Sequence, residues 1–116
     1  MEKGNIMQRK LTSFRINKSL QILIGELMNR DGCTKHYIHF QAIKYFYDST
    51  NHHVYPRLLI SKSSAPEYVK RDCKEQVYVT EEMQNMLKEL ADYNQCTLGT
   101  VFFHALLIYI ADRMEK

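Results

Sequence analysis

The sequence predicts a mainly α-helical domain: two β-α-α repeats folded as an intramolecular pseudo-dimer around a two-stranded antiparallel ribbon. Three observations predict it. First, residues 14–48, shifted by 63 positions, fall on residues 77–111 without a gap. Seven pairs are identical: Gln21/Gln84, Glu26/Glu89, Leu27/Leu90, Cys33/Cys96, Thr34/Thr97, Phe40/Phe103 and Ala42/Ala105. Others keep apolar character, among them Phe14/Val77, Ile16/Val79, Leu20/Met83, Ile24/Leu87 and Ile38/Val101. Second, each copy opens on a short alternating run and continues into two helical stripes. Third, a unit of about 40 residues is too small to hold a core alone, so the copies must share one. The chain of 116 residues is accordingly read as a single domain over 1–116, with repeat one at 10–48, a linker at 49–73 and repeat two at 74–116.

Each element has its own signal. Residues 1–9 read as a mobile arm. In 10–16, Thr12, Phe14 and Ile16 alternate against Ser13 and Arg15, the period of a strand. Asn17 caps a helix whose stripe is Leu20, Leu23, Ile24, Leu27 and Met28. Gly32 is placed to end it in a left-handed conformation. Thr34 then caps a helix over 35–48, with Ile38, Ala42, Ile43 and Phe46 on its apolar face. Pro56, Pro66 and the polar run 61–64 mark the linker, with a short helical turn expected near 57–60. Residues 74–79 alternate Val77 and Val79 against Gln76 and Tyr78. Thr80 caps the third helix, striped by Met83, Met86, Leu87, Leu90 and Ala91. Thr97 caps the fourth, over 98–114, which is apolar almost all round and belongs in the middle of a core.

Net charge is +3, unevenly spread. Residues 1–30 carry six Lys and Arg against two Asp and Glu; residues 61–74 carry four against two; residues 75–116 carry three against seven. A basic first half and linker fit an anionic partner such as nucleic acid. Three cysteines form no even disulfide framework, and Cys33 and Cys96 occupy equivalent positions, as buried apolar residues do. A polar start and a longest apolar run of only 101–110 imply no secretory signal and no membrane span. The expected location is the cytoplasm.

The two stretches SFRINKSLQILIGELMNRDGCTKHYIHFQAIKYF and QVYVTEEMQNMLKELADYNQCTLGTVFFHALLIYI resemble the ribbon-helix-helix family of Arc-type and MetJ-type repressors. Duplicated chains of that kind also occur among F-plasmid-type relaxosome accessory proteins. The resemblance implies that outward strand side chains enter the major groove of double-stranded DNA. On this chain those are Leu11, Ser13 and Arg15, with Lys74, Gln76 and Tyr78. Arg15 suits guanine O6/N7 and Gln76 suits adenine N6/N7. The resemblance also implies phosphate contacts at the start of each second helix: Thr34, Lys35 and His36, then Thr97, Leu98 and Gly99. The family's glycine turn is present at Gly32 and absent at Gln95. With the acidic second copy, this predicts lopsided binding, tighter at copy one.

The implied function is sequence-specific DNA binding, as a transcriptional regulator or a conjugation accessory factor of a mobile element. The alternative is a protein–protein adaptor, or an antitoxin-like partner, on the same fold. The apolar C-terminal helix offers a surface for a protein partner or self-association. No nucleophile–base pair or glycine-rich phosphate loop is evident, so no enzyme is expected. His52, His53 and Cys73 lack zinc-site spacing, so neither metal nor other cofactor is expected.

Overall fold

Alternation makes the two strands. The structure, a computed structural model, describes residues 9–60 and 69–115. Residues 1–8 of the expected arm and the polar linker run 61–64 lie outside them. In β1 (Arg9–Ile16), Phe14 and Ile16 are buried. In β2 (Cys73–Thr80), Glu75, Val77 and Val79 are buried and Lys74, Gln76 and Tyr78 exposed. The strands pair antiparallel, with Ser13 opposite Gln76, Arg15 opposite Lys74 and Leu11 opposite Tyr78. One face of this ribbon is therefore covered by helices, and the other is bare.

Four helices follow from their caps: α1 (Lys18–Asp31), α2 (Lys35–Asp48), α3 (Glu81–Asn94) and α4 (Leu98–Met114). Asn17 Oδ1 accepts the Leu20 N–H at 2.9 Å, Thr34 Oγ1 that of Tyr37 at 3.1 Å, and Thr80 Oγ1 that of Met83 at 3.2 Å. Thr97 Oγ1 accepts the Thr100 N–H at 3.1 Å. Each hydroxyl or amide satisfies a donor that the first turn leaves free. α1 ends at Gly32 with φ 63°, and α3 ends at Gln95 with φ 54°. Glycine adopts that conformation freely, whereas a side chain there costs about 1–2 kcal/mol.

α4 is the core. Residues 101–106 and Ile110 are buried, and the helix packs on α1, α2, α3, β1 and the turn after α2. Its closest helical neighbour is α2, so the two halves interlock rather than abut. The segment after α2 belongs to this core too. Val54 and Leu58 are buried, and Pro56–Leu59 forms a turn of 3-10 helix. Asn94 fastens it, accepting the Val54 N–H at 2.9 Å and donating to the His52 carbonyl at 2.8 Å. The buried His104 accepts the Tyr55 N–H on Nδ1 at 3.3 Å. Burial holds the His104 pKa down to about 4, so the ring is neutral and free to accept.

The expected fold class needs correction. A mainly α-helical chain with one two-stranded antiparallel sheet is present, but two clear β-α-α repeats arranged as a pseudo-dimer are not. Among the described residues the elements run β-α-α-β-α-α as one unit with a single sheet. The physical reasons are local. α4 has 17 residues and is buried nearly all round, whereas α2 has 14 and keeps Tyr37 and Tyr45 exposed. The post-α2 segment packs against α4, and Glu75 and His39, the buried polar pair described below, stand where the other copy has Thr12 and Phe102. Among the described residues no single helix is long and apolar enough to cross a membrane. α3 and α4 together pass that test by composition, but they bend by 100°.

Candidate nucleic-acid interface

The bare face of the ribbon presents three cross-strand pairs in a row. Arg15 and Lys74 stand at one end, Ser13 and Gln76 in the middle, Leu11 and Tyr78 at the other. All six are exposed, and Leu11 and Tyr78 are each 50% accessible despite their apolar bulk. The inward faces of the same strands are anchored by Phe14, Ile16, Val77 and Val79, so the row is held by packing rather than by its own contacts. Opposite side chains in such a ladder lie about 4.5–5.5 Å apart at Cβ, close enough to act as one surface.

Each strand of the ribbon meets the start of a helix. α4 begins beside β1: a Cβ built on Gly99 would lie 3.5 Å from Phe14 Cδ1. Ser13, Phe14, Arg15, Arg71, Gly99 and Thr100 are among the residues that line an open groove of about 340 Å³ there. Arg71 donates to Thr100 Oγ1 at 3.1 Å and lies 5.5 Å over the Phe103 ring. Arg15 donates to the Asp72 carbonyl at 3.5 Å. Two guanidinium groups thus border a helix start whose dipole also favours anions.

α2 begins beside β2, and there the protein supplies its own anion. Glu75 is 2% exposed and accepts from His39 Nε2 at 2.7 Å. Lys35 Nζ lies 3.8 Å from the same carboxylate oxygen, and Gln21 donates to the other at 3.3 Å. Burial pushes the Glu75 carboxyl upward, but the His39 hydrogen bond and charge, Lys35 and Gln21 together hold it below its ordinary value. It is a carboxylate, the acceptor in its contact with His39 Nε2. His39 also packs edge-on against Phe102 at 5.3 Å, tying β2 and α2 to α4.

The twelve residues expected to touch DNA are thereby located. Leu11, Ser13, Arg15, Lys74, Gln76 and Tyr78 form one continuous surface. Thr34, Lys35 and His36 sit at the start of α2, and Thr97, Leu98 and Gly99 at the start of α4. Of these, His36, Leu98 and Gly99 are half-buried. No known protein family, curated protein or solved structure matches the chain. Sequence reasoning missed Arg71 and Glu75. Nothing in the linker singled out Arg71. Glu75 did carry a signal, since it is in phase with the inward Val77 and Val79.

Most apolar side chains of the C-terminal helix are in the core, while Leu107, Ile108 and Tyr109 are half-buried and Met114 is exposed. Tyr109 lies edge-on to Tyr45 at 5.8 Å. Among the described residues no cluster of His, Cys, Asp or Glu is arranged to hold a metal ion.

Proposed function

We propose that this protein binds double-stranded DNA by laying the bare face of its two-stranded ribbon in the major groove. One observation carries the proposal: three facing exposed pairs on a ribbon whose two strands each meet a helix start. The major groove admits a two-stranded ribbon and displays a different pattern for each base pair. Arg15 can donate twice to guanine, and Gln76 can donate to and accept from adenine. Helix starts and Arg71 would take the flanking phosphates and fix the register, while the ribbon reads bases. The resemblance to ribbon-helix-helix repressors in sequence supports the same reading.

Such binding serves transcriptional control by occupancy, or the organisation of a DNA-processing complex on a mobile element. Three unpaired cysteines, Cys33, Cys73 and Cys96, fit a reducing compartment such as the cytoplasm. A protein–protein adaptor is the second reading. It is favoured by a different surface, where Tyr37 and Tyr45 of α2 are exposed beside Tyr109.

Equilibrium binding to a selected duplex over a salt series tests the proposal. Affinity is expected to fall steeply with salt as phosphate contacts release counterions. Arg15→Ala is expected to cost about 1–3 kcal/mol at the selected site and little on unrelated duplex. Weak, salt-independent association that ignores Arg15 would favour the adaptor.

A further inference from the structure

An antiparallel ribbon has a local two-fold axis perpendicular to its face. Here that axis passes between Ser13 and Gln76, the middle exposed pair. Rotation about it exchanges the Arg15–Lys74 pair with the Leu11–Tyr78 pair, carrying Leu11 onto Lys74 and Tyr78 onto Arg15. The backbone obeys this symmetry and the side chains do not. One end is a pair of cations. The other is a pair of exposed apolar or aromatic groups, each 50% accessible. The surroundings add to the cationic end, where Arg71 lines the groove beside Ser13 and Arg15.

A symmetric reader selects a palindromic site, because the site mirrors the protein's two-fold. A reader whose two ends differ in chemistry has no reason to do so. We infer that this ribbon recognises a non-palindromic duplex, with guanines under Arg15 and Lys74 and thymine methyl groups under Leu11 and Tyr78. This rests on the DNA-binding reading above and adds the orientation and composition of the site. The assignment follows from chemistry. Guanine offers two acceptors, O6 and N7, which match a cation that donates twice. The thymine C5-methyl is the one apolar group a base pair shows in the major groove, and an apolar side chain gains by covering it. Leu11 can offer a base edge nothing else. Tyr78 covers the same ground with its ring. A single orientation on DNA follows, because reversing the ribbon would set two cations against methyl groups.

The test uses the full chain and a duplex library randomised over its centre. Wild-type protein is expected to recover a motif that differs from its reverse complement, with guanine at one end and thymine at the other. Replacing those thymines by deoxyuracil, which removes only the methyl groups, is expected to weaken binding roughly fourfold per methyl lost. Leu11→Ala should remove the part of that difference due to the methyl under Leu11, keep the part under Tyr78, and leave the guanine preference intact. The double variant Leu11→Lys with Tyr78→Arg makes the two ends chemically alike. It should recover a site with guanine at both ends, read palindromically. Both substituted positions are exposed, so the fold is not at stake. A palindromic wild-type motif, or equal binding of thymine and deoxyuracil duplexes, overturns this inference while leaving DNA binding standing. Recovery of no motif, with salt-independent binding to every duplex, overturns the DNA reading itself and this inference with it.

Discussion

The two helix starts that meet the ribbon are built from the same parts and do different things. At α2, a threonine cap and a positive dipole face Glu75, a buried carboxylate held by His39, Lys35 and Gln21. At α4, a threonine cap and a positive dipole face an open groove bordered by Arg15 and Arg71. The first end satisfies its electrostatics internally and gains rigidity. The second leaves its positive potential turned outward. A helix start is therefore an anion site only where the protein has not already supplied the anion. The expectation from sequence placed the stronger hold at copy one, from charge totals and the Gly32 turn. The geometry adds Arg71, from the linker, at the start of α4 and an inward Glu75 at the start of α2, a contrast that the substitutions below test.

The largest effect expected from this contrast is at the closed end. Glu75→Ala strands His39 in the core, and removing one partner of a buried pair costs about 3–5 kcal/mol. Chemical denaturation measures it. A loss comparable to that of an ordinary surface substitution would mean that the carboxylate does not organise the end.

Acid sharpens the same point. The folded carboxyl of Glu75 lies below its ordinary value of 4.5, so its stabilisation is complete above that pH and is lost as pH falls through the folded pKa. Glu75→Gln is expected to flatten the fall in melting temperature at the acid end. His104 supplies a separate slope. Its pKa is about 4 when folded and 6.5 ordinarily, so stability falls as pH drops from 6.5 towards 4 in both proteins. The difference between the two melting profiles isolates Glu75.

At the open end the expected effect is on binding, not folding. Arg71→Ala should lower affinity for all duplexes alike and reduce the salt slope by about one. Lys35→Ala, beside a carboxylate that already occupies it, should change the slope less. Equal losses at the two positions would erase the distinction drawn between the ends.

The smallest effect concerns the turns. Gln95 holds φ 54° where α1 uses Gly32 at 63°. Gln95→Gly is expected to stabilise the protein by about 1 kcal/mol, read as a rise in melting temperature. Gly32→Gln should destabilise by a similar amount.

The pattern in the chain reached some of this and not the rest. Period-two alternation located both strands, because Phe14, Ile16, Val77 and Val79 must all face the helices. Asn17, Thr34, Thr80 and Thr97 located the helix starts, since a capping side chain acts within three residues. These are local interactions, and local sequence encodes them. The unequal packing of the halves was not legible. It depends on where Val54 and Leu58 dock and on which side chains reach across, such as Asn94 to His52. Those contacts join residues distant in sequence, and no period announces them. Matching pairs 63 positions apart conveyed common patterning but hid that equivalent positions carry opposite chemistry. His39 stands where the second copy has Phe102, and Arg15 where it has Tyr78. The candidate site was readable as a row of outward positions. Its electrostatic bias was not, because Arg71 comes from a segment with no pattern.

The central claim, that the ribbon's bare face is the DNA-binding surface, is tested most directly by titrating a selected duplex into isotope-labelled protein and following backbone amide shifts. Perturbations concentrated at residues 11–15 and 74–78, with the amides at the start of α4 moving more than those of α2, are the predicted result. Shifts confined to the Tyr37, Tyr45 and Tyr109 surface, with the ribbon silent, would contradict it.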